Sequence, residues 1–282
     1  MVHPAKFLLA GVMGWPVMHS RSPLLHNYWF EKYQLAGRYL PFAIKPEGLA
    51  AALRALQPLG FAGCNLTLPH KQAALTIVDE VDSVASAIGA ISCIVVRPDG
   101  SLAGGNNDCQ GFIDNIKQVY PVWRADAGPV AVIGAGGGSR AVCYALAREG
   151  AREIRLVNRT YERARSLADA FGAPIKALRW EQREDALADA AMVVNTTSQG
   201  MAGEPPLDLK LDRLPRAALA ADLIYIPRET PFLAAARQRG NRTLNGLGML
   251  LHQARPGFAA WFEREPAVSA ALRDFVFADL AR

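Results

Sequence analysis

The stretch that most limits what this chain can fold into runs from residue 129 to 146. Pro129-Val130-Ala131-Val132-Ile133 is a short apolar run of the kind buried on both faces of a parallel sheet. Gly134-Ala135-Gly136-Gly137-Gly138-Ser139 follows at once, and Ala141-Val142-Cys143-Tyr144-Ala145-Leu146 then reads as a helix. Strand, glycine turn and helix in that order let the backbone turn tightly. They also aim the free N–H groups of a helix N-terminus at an anion, as a dinucleotide pyrophosphate needs. Ser139 stands where a third glycine is usual, so the turn by itself is weak evidence. A second strand, Glu153-Ile154-Arg155-Leu156-Val157, sharpens it by ending at Asn158-Arg159-Thr160. An Asp or Glu at that strand end holds a ribose 2′-hydroxyl. Arg159 stands there instead, with Arg163 one helical turn on, and a guanidinium pairs well with a 2′-phosphate. The pattern predicts NADP, with NAD the alternative cofactor. A merely solvated arginine at a helix start is the competing reading of Arg159.

At 282 residues the chain is long enough for two domains, and 51% hydrophobic with 20% charged residues is ordinary for a folded chain. The net charge of +5 comes with no Lys/Arg run of the nucleic-acid-binding type. Arg152, Arg155, Arg159, Arg163 and Arg165 instead gather around the predicted cofactor loop, where a nucleotide phosphate accounts for part of the excess. The opening stretch, Met1 to Pro16, is too short and too broken by Gly14 and Pro16 for a signal peptide or a spanning helix. Cys64, Cys93, Cys109 and Cys143 fit neither a zinc spacing nor a small disulfide scaffold. No metal site, membrane contact or nucleic-acid partner is therefore expected, and the cytoplasm is the expected compartment.

Up to about residue 113 strands and helices alternate. Expected strands are 8–13, 39–43, 60–66 and 90–96, and expected helices are 23–33, 46–59 and 69–77, each opened by a proline (Pro23, Pro46, Pro69) where the missing N–H costs nothing. A helix over about 110–120 leads out, 121–128 reads as a linker, and strand–helix alternation restarts at Pro129. Further buried strands are expected at 192–195 and 219–223. After Asn245-Gly246 the chain reads as helical to residue 280, with Pro256-Gly257 expected to kink or split it. The fold class is thus α/β with two domains. Residues 1–113 form an α/β substrate-binding and catalytic domain, and residues 114–244 a Rossmann-type parallel-sheet cofactor domain. Residues 245–282 form C-terminal helices returning to the first domain.

Three further segments could carry chemistry. Ser20 and Ser22, between a strand and a helix N-terminus, offer two hydroxyls to a carboxylate, although an N-cap and turn explain the spacing better. Asn65 and Thr67 alternate at a strand end and so point the same way. Lys71 follows in the first turn of a helix, where a cation opposes the dipole and is suited to general acid/base work, with a solvated lysine equally compatible. Asp108 lies between a strand and a helix and reads as an N-cap, or as the partner of Lys71 in proton transfer.

Taken together and in order, these segments resemble the shikimate dehydrogenase family over nearly the whole chain. Ser20-Arg21-Ser22-Pro23-Leu24-Leu25-His26-Asn27 resembles its S-x-S-P-x-x-H-N, and Asn65 to Lys71 its N-V-T-x-P-x-K, with the catalytic lysine at Lys71. Asp108 falls where the catalytic aspartate lies in G-x-N-T-D-x-x-G. Gly134, Ala135, Gly136, Gly137 and Gly138, with Asn158, Arg159, Thr160 and Arg163, resemble its two cofactor motifs. Asn195 to Met201 is similar to its N-x-T-S-x-G-M near the nicotinamide. The resemblance implies cofactor contacts at Thr197, Leu223 and Gly246. It implies substrate contacts at Ser20, Ser22, Asn65, Thr67, Ser92, Tyr225 and Gln253.

The implied activity is reversible NADP-dependent reduction of 3-dehydroshikimate to shikimate, by a monomer or homodimer acting on a small cyclic hydroxy acid. The sequence departs from the family's G-A-x-N-T at Ser92 and Cys93, and from its Thr before the aspartate at Asn107. Those departures bear on the substrate and leave open a paralogue acting on quinate, an aminoshikimate or a related cyclic polyol acid. A non-catalytic metabolite sensor would lose the catalytic pair and keep the ligand shell, the reverse of what this sequence does.

Overall fold

The computed structural model describes residues 7–280, so the first six residues of the opening stretch lie outside it. The first half of the chain holds strands β1 (Leu8–Gly14), β2 (Gly37–Ala43), β3 (Gly63–Leu66), β4 (Glu80–Val81), β5 (Cys93–Val96) and β6 (Leu102–Gly105). Helices α1 (Ser22–Lys32), α2 (Leu49–Arg54), α3 (His70–Ala73) and α4 (Ser83–Ile88) lie among them, and α5 (Asp108–Val119) follows. The second half holds β7 (Val130–Ile133), β8 (Ile154–Val157), β9 (Ile175–Leu178), β10 (Met192–Asn195), β11 (Leu219–Asp222) and β12 (Arg242–Leu244). Its helices are α6 (Gly137–Arg148), α7 (Tyr161–Phe171) and α8 (Pro231–Gln238), followed by α9 (Leu247–Phe262) and α10 (Ala270–Leu280).

Contacts divide the chain into two compact units, one running to Asn107 and resuming at Leu250, the other spanning Asp108 to Met249. The first unit is built on a six-stranded sheet ordered β2-β1-β3-β5-β6-β4. Strands β2, β1 and β3 are parallel, and β5 then pairs antiparallel with both β3 and β6. Its core gathers Met13, Leu49, Leu53, Leu66, Ile91 and Ile94. The C-terminal helices belong to this unit. Phe258 packs on Trp29 and Phe30, and the Trp261 indole donates to the Ile94 carbonyl at 2.9 Å.

The second unit is a wholly parallel sheet ordered β12-β11-β10-β7-β8-β9. Every residue of β7, β10 and β11 is buried, which is why these strands read as unbroken apolar runs. Strand order reverses between β7 and β10. Such a switch point opens a crevice at the carboxyl ends of the strands, where ligands of open parallel sheets bind.

Several expectations are corrected. The helix expected over 46–59 is a 3₁₀ turn at Pro46–Gly48 followed by six α-helical residues. The helix expected over 69–77 has four α-helical residues and then a 3₁₀ turn at Ala74–Thr76, with Pro69 in the capping position. A single turn carries little macrodipole, so the dipole argument for Lys71 lapses. Helix α9 runs unbroken through Pro256. Leu247, Leu251, Ala254 and Phe258 are all fully buried along it, and that apolar stripe outweighs the one backbone bond a proline removes. Strands β4, β6, β9 and β12 were not foreseen. Each is two to four residues long and only partly buried, so it shows neither an unbroken apolar run nor a period long enough to register.

Candidate functional site

In the first unit, hydrogen bonds stitch three of the sequence-marked segments together. The Asn65 side chain, 5% exposed, donates from Nδ2 to the Ser92 carbonyl at 3.0 Å and accepts at Oδ1 from the Tyr39 hydroxyl at 2.7 Å. Leu66 N also donates to the Ser92 carbonyl, and Ile91 N donates to the Lys71 carbonyl at 2.8 Å, which fixes α3 beside the Ala90–Ser92 stretch. Ser92 N donates to the Gly105 carbonyl. The Ser92 hydroxyl accepts from Asn107 N at 2.9 Å, so two of the three positions that depart from the family pattern touch. Asn106 Nδ2 donates to the Ala90 carbonyl at 2.8 Å. Thr67 N donates to the Met13 carbonyl, and Thr67 is half-buried just past the end of β3.

Ser20 Oγ accepts from Ser22 N at 3.3 Å and so serves the start of α1, as the turn reading expected. Ser22 is buried at that helix start. Gln253 lies on α9, its Nε2 donating to the Leu250 carbonyl at 3.0 Å. Asp108 and Tyr225 belong to the second unit. Asp108 is the first residue of α5 and is 8% exposed.

The second unit brings its cofactor candidates to one sheet edge. Gly134 has φ +108, and a Cβ there would lie 2.7 Å from Thr196 Oγ1 and 2.8 Å from Thr197, so the close approach of the loops after β7 and β10 requires glycine. Gly136 and Gly137, at the start of α6, have open space where a Cβ would stand, and no side chain caps the helix. That is a cradle with free N–H groups at its floor. Ser139, in place of a third glycine, is wholly buried and donates its hydroxyl to the Gly136 carbonyl at 2.7 Å. Asn158 Oδ1 accepts from Ala135 N at 3.1 Å and its Nδ2 donates to the Thr160 carbonyl at 2.8 Å, locking the ends of β7 and β8 together. Gly138 faces Leu223, and a Cβ on Gly246 would overlap the Leu223 carbonyl.

Of the five arginines expected around the loop, three are committed to carboxylates. Arg152 reaches Asp126, Arg155 pairs with Glu153 and Asp189, and Arg165 faces Asp169. Arg159 and Arg163 are exposed, and neither makes an ion pair among the described residues. The sequence singled out Arg159 and Arg163, and the pairing sets the same two apart from the other three.

Sequence reasoning missed the support of the loop after β10. Asn195, wholly buried, accepts at Oδ1 from Thr197 N at 3.0 Å and from the Thr197 hydroxyl at 2.8 Å. Its Nδ2 donates to the Gln199 carbonyl and to Asp222 Oδ1, both at 3.1 Å. The Thr197 hydroxyl is thereby used inside the loop. Asp222 also accepts from Thr230 Oγ1 at 2.7 Å and from Ile224 N at 3.0 Å. Burial pushes the Asp222 carboxyl up to about 6, with the three hydrogen bonds working in the opposite direction. An aspartate ending a strand carries no sequence signal of such a role.

The four cysteines are all buried and none forms a disulfide, and burial pushes the Cys143 thiol up to about 12. Among the described residues no helix is long and apolar enough to cross a membrane.

Both units have counterparts in known proteins. The family model described as the shikimate dehydrogenase substrate binding domain matches residues 12–94, and the one described as shikimate / quinate 5-dehydrogenase matches residues 120–202. A shikimate dehydrogenase (NADP(+)) of Paramagnetospirillum magneticum is 51% identical over 271 residues, covering 96% of this chain and 98% of that one. A structure of the Thermus thermophilus shikimate 5-dehydrogenase in complex with NADP(H) and shikimate superposes with a TM-score of 0.86 at 33% identity, covering 96% of this chain and 99% of that one. The Corynebacterium glutamicum quinate dehydrogenase in complex with NAD gives a TM-score of 0.90 at 31% identity, over 96% and 99% of the two chains.

Proposed function

This chain belongs to the shikimate dehydrogenase family, and from that premise we propose that it interconverts 3-dehydroshikimate and shikimate with NADP. The observation that carries the reading is the 51% identity to an NADP(+)-dependent shikimate dehydrogenase across 96% of the chain, which spans both units. The residues present fit the cofactor. The open glycine cradle at Gly136 and Gly137 suits a pyrophosphate, and the uncommitted Arg159 and Arg163 suit a 2′-phosphate.

When bound, NADPH supplies the hydride that reduces the substrate's ketone carbon. This chain's own groups bind, orient and move the proton. Ser20 and Ser22 hold the carboxylate of the ring. Asn65, Thr67, Ser92, Tyr225 and Gln253 hold its hydroxyls. Lys71, with Asp108, gives a proton to the carbonyl oxygen in reduction and takes the hydroxyl proton in oxidation. Gly134, Ala135, Gly136, Gly137 and Gly138, with Asn158, Thr160, Thr197, Leu223 and Gly246, line the cofactor beside the two arginines. Four buried cysteines without a disulfide accord with a reducing cytoplasmic setting, and a monomer or homodimer is the expected state.

The test is side-by-side reduction of NADP and NAD by the purified protein with shikimate and with quinate. Fastest turnover with shikimate and NADP is expected. Preference for quinate, or for NAD, would overturn the assignment.

A further inference from the structure

Tyr39 stands in the middle of β2 and is wholly buried, and two consecutive residues of α1 grip it. Asn27 clamps its peptide from both sides, donating from Nδ2 to the Tyr39 carbonyl and accepting at Oδ1 from Tyr39 N, each at 3.0 Å. His26 lies flat on the phenol ring, with centroids 4.0 Å apart and planes 4° apart. Trp29, Phe258 and Trp261 close around the imidazole, and both its nitrogens are buried with no hydrogen-bond partner. An imidazole without partners has given up the hydrogen bonds it had in water. What it contributes here is shape, a flat plate that fixes the plane of Tyr39.

The fixed ring places one polar atom. The Tyr39 hydroxyl donates to Asn65 Oδ1 at 2.7 Å, and Asn65 Nδ2 donates to the Ser92 carbonyl at 3.0 Å. A carbonyl can only accept, so the Asn65 amide has one allowed orientation. One N–H and one lone pair then remain on it for a ligand.

We propose that Tyr39 is a positioning residue, whose hydroxyl tethers the Asn65 side chain, oriented by the Ser92 carbonyl, in the place where it binds a hydroxyl of the substrate ring. Nothing in the sequence motifs marks Tyr39, which lies outside all of them. The proposal rests on the dehydrogenase reading above, so the wild-type assay comes first: no turnover of shikimate would refute that reading and leave Tyr39 to be judged on structure alone.

The experiment is Tyr39→Phe, which keeps the ring and its stack on His26 and removes only the oxygen. With active wild type, the expected result is a rise in KM for shikimate of roughly tenfold, with the NADPH Kd unchanged. In an Asn65→Ala background the same substitution should have no further effect on kcat/KM, since the group it positions is gone. A crystal structure of Tyr39→Phe should show the Asn65 side chain shifted from its place or in two rotamers. An unchanged KM, equal losses in both backgrounds, or an unmoved amide would overturn the proposal. The crystal result decides it even for an enzyme of another specificity.

Discussion

Arg159 and Arg163 differ from Arg152, Arg155 and Arg165 in having no carboxylate to answer to. Arg159→Asp should therefore weaken NADPH binding by about a hundredfold and NADH binding far less, read by fluorescence titration of both cofactors. Lys71→Ala should lower kcat by about 10²–10⁴-fold and leave the NADPH Kd nearly unchanged, measured by steady-state kinetics and titration together. Full activity in that variant would remove Lys71 from the chemistry. His26 carries a prediction about stability. Burial lowers its pKa to about 3, from the 6.5 of an exposed histidine. Between those values the unfolded chain binds a proton that the folded chain does not. The stability His26 gives as a neutral group is thus held above about pH 6.5 and lost as pH falls toward 3, by about 1.4 kcal/mol per pH unit. Denaturation of wild type and His26→Phe across that range should show the acid slope reduced in the variant.

At the scale of elements, the glycine turn separates two functions that the sequence runs together. Gly134 is glycine because strands β7 and β10 bring their loops within van der Waals distance at positive φ. Gly136 is flanked by open space and has an extended backbone that any residue adopts. Gly134→Ala should cost about 1–3 kcal/mol, seen as a lower Tm. Gly136→Ala should leave Tm unchanged and weaken NADPH by filling the cradle, so Tm and NADPH Kd measured on both variants test the division. The loop after β10 depends on a carboxyl of the neighbouring strand. Asp222, pushed up to about 6, keeps its proton in the folded state between roughly pH 4 and 6 where the unfolded chain has lost it. Its favourable contribution is present below pH 4 and lost as pH rises through 6. His26 has the opposite sign over the same interval, so the two nearly cancel in the wild type. Asp222→Asn should expose the His26 slope alone, and pH-resolved denaturation that left the wild-type profile unaltered would contradict the assignment.

Across the whole molecule, legibility followed the length and burial of each segment. Strand β10 was placed at Met192–Asn195 from its apolar run, because a strand covered on both faces needs no alternation to be seen. Strand β6 was invisible. It spans Leu102–Gly105 with two glycines in four residues, and exists through its pairing with β5. Pro256 is expected to kink or split helix α9; it does not split it, because the local rule loses to a buried apolar stripe. The sequence by itself determined the α/β class, the family, and the strand–glycine turn–helix at Val130–Arg148. Those depend on residue type and spacing within a few positions, which one chain of letters records. Only the tertiary structure decided which arginines stay uncommitted, why Gly134 must be glycine, and that Tyr39 and Asp222 hold the groups the motifs display. Those depend on which atoms from distant parts of the chain meet in a water-free interior, where an unpaired polar atom is costly and a paired one is fixed.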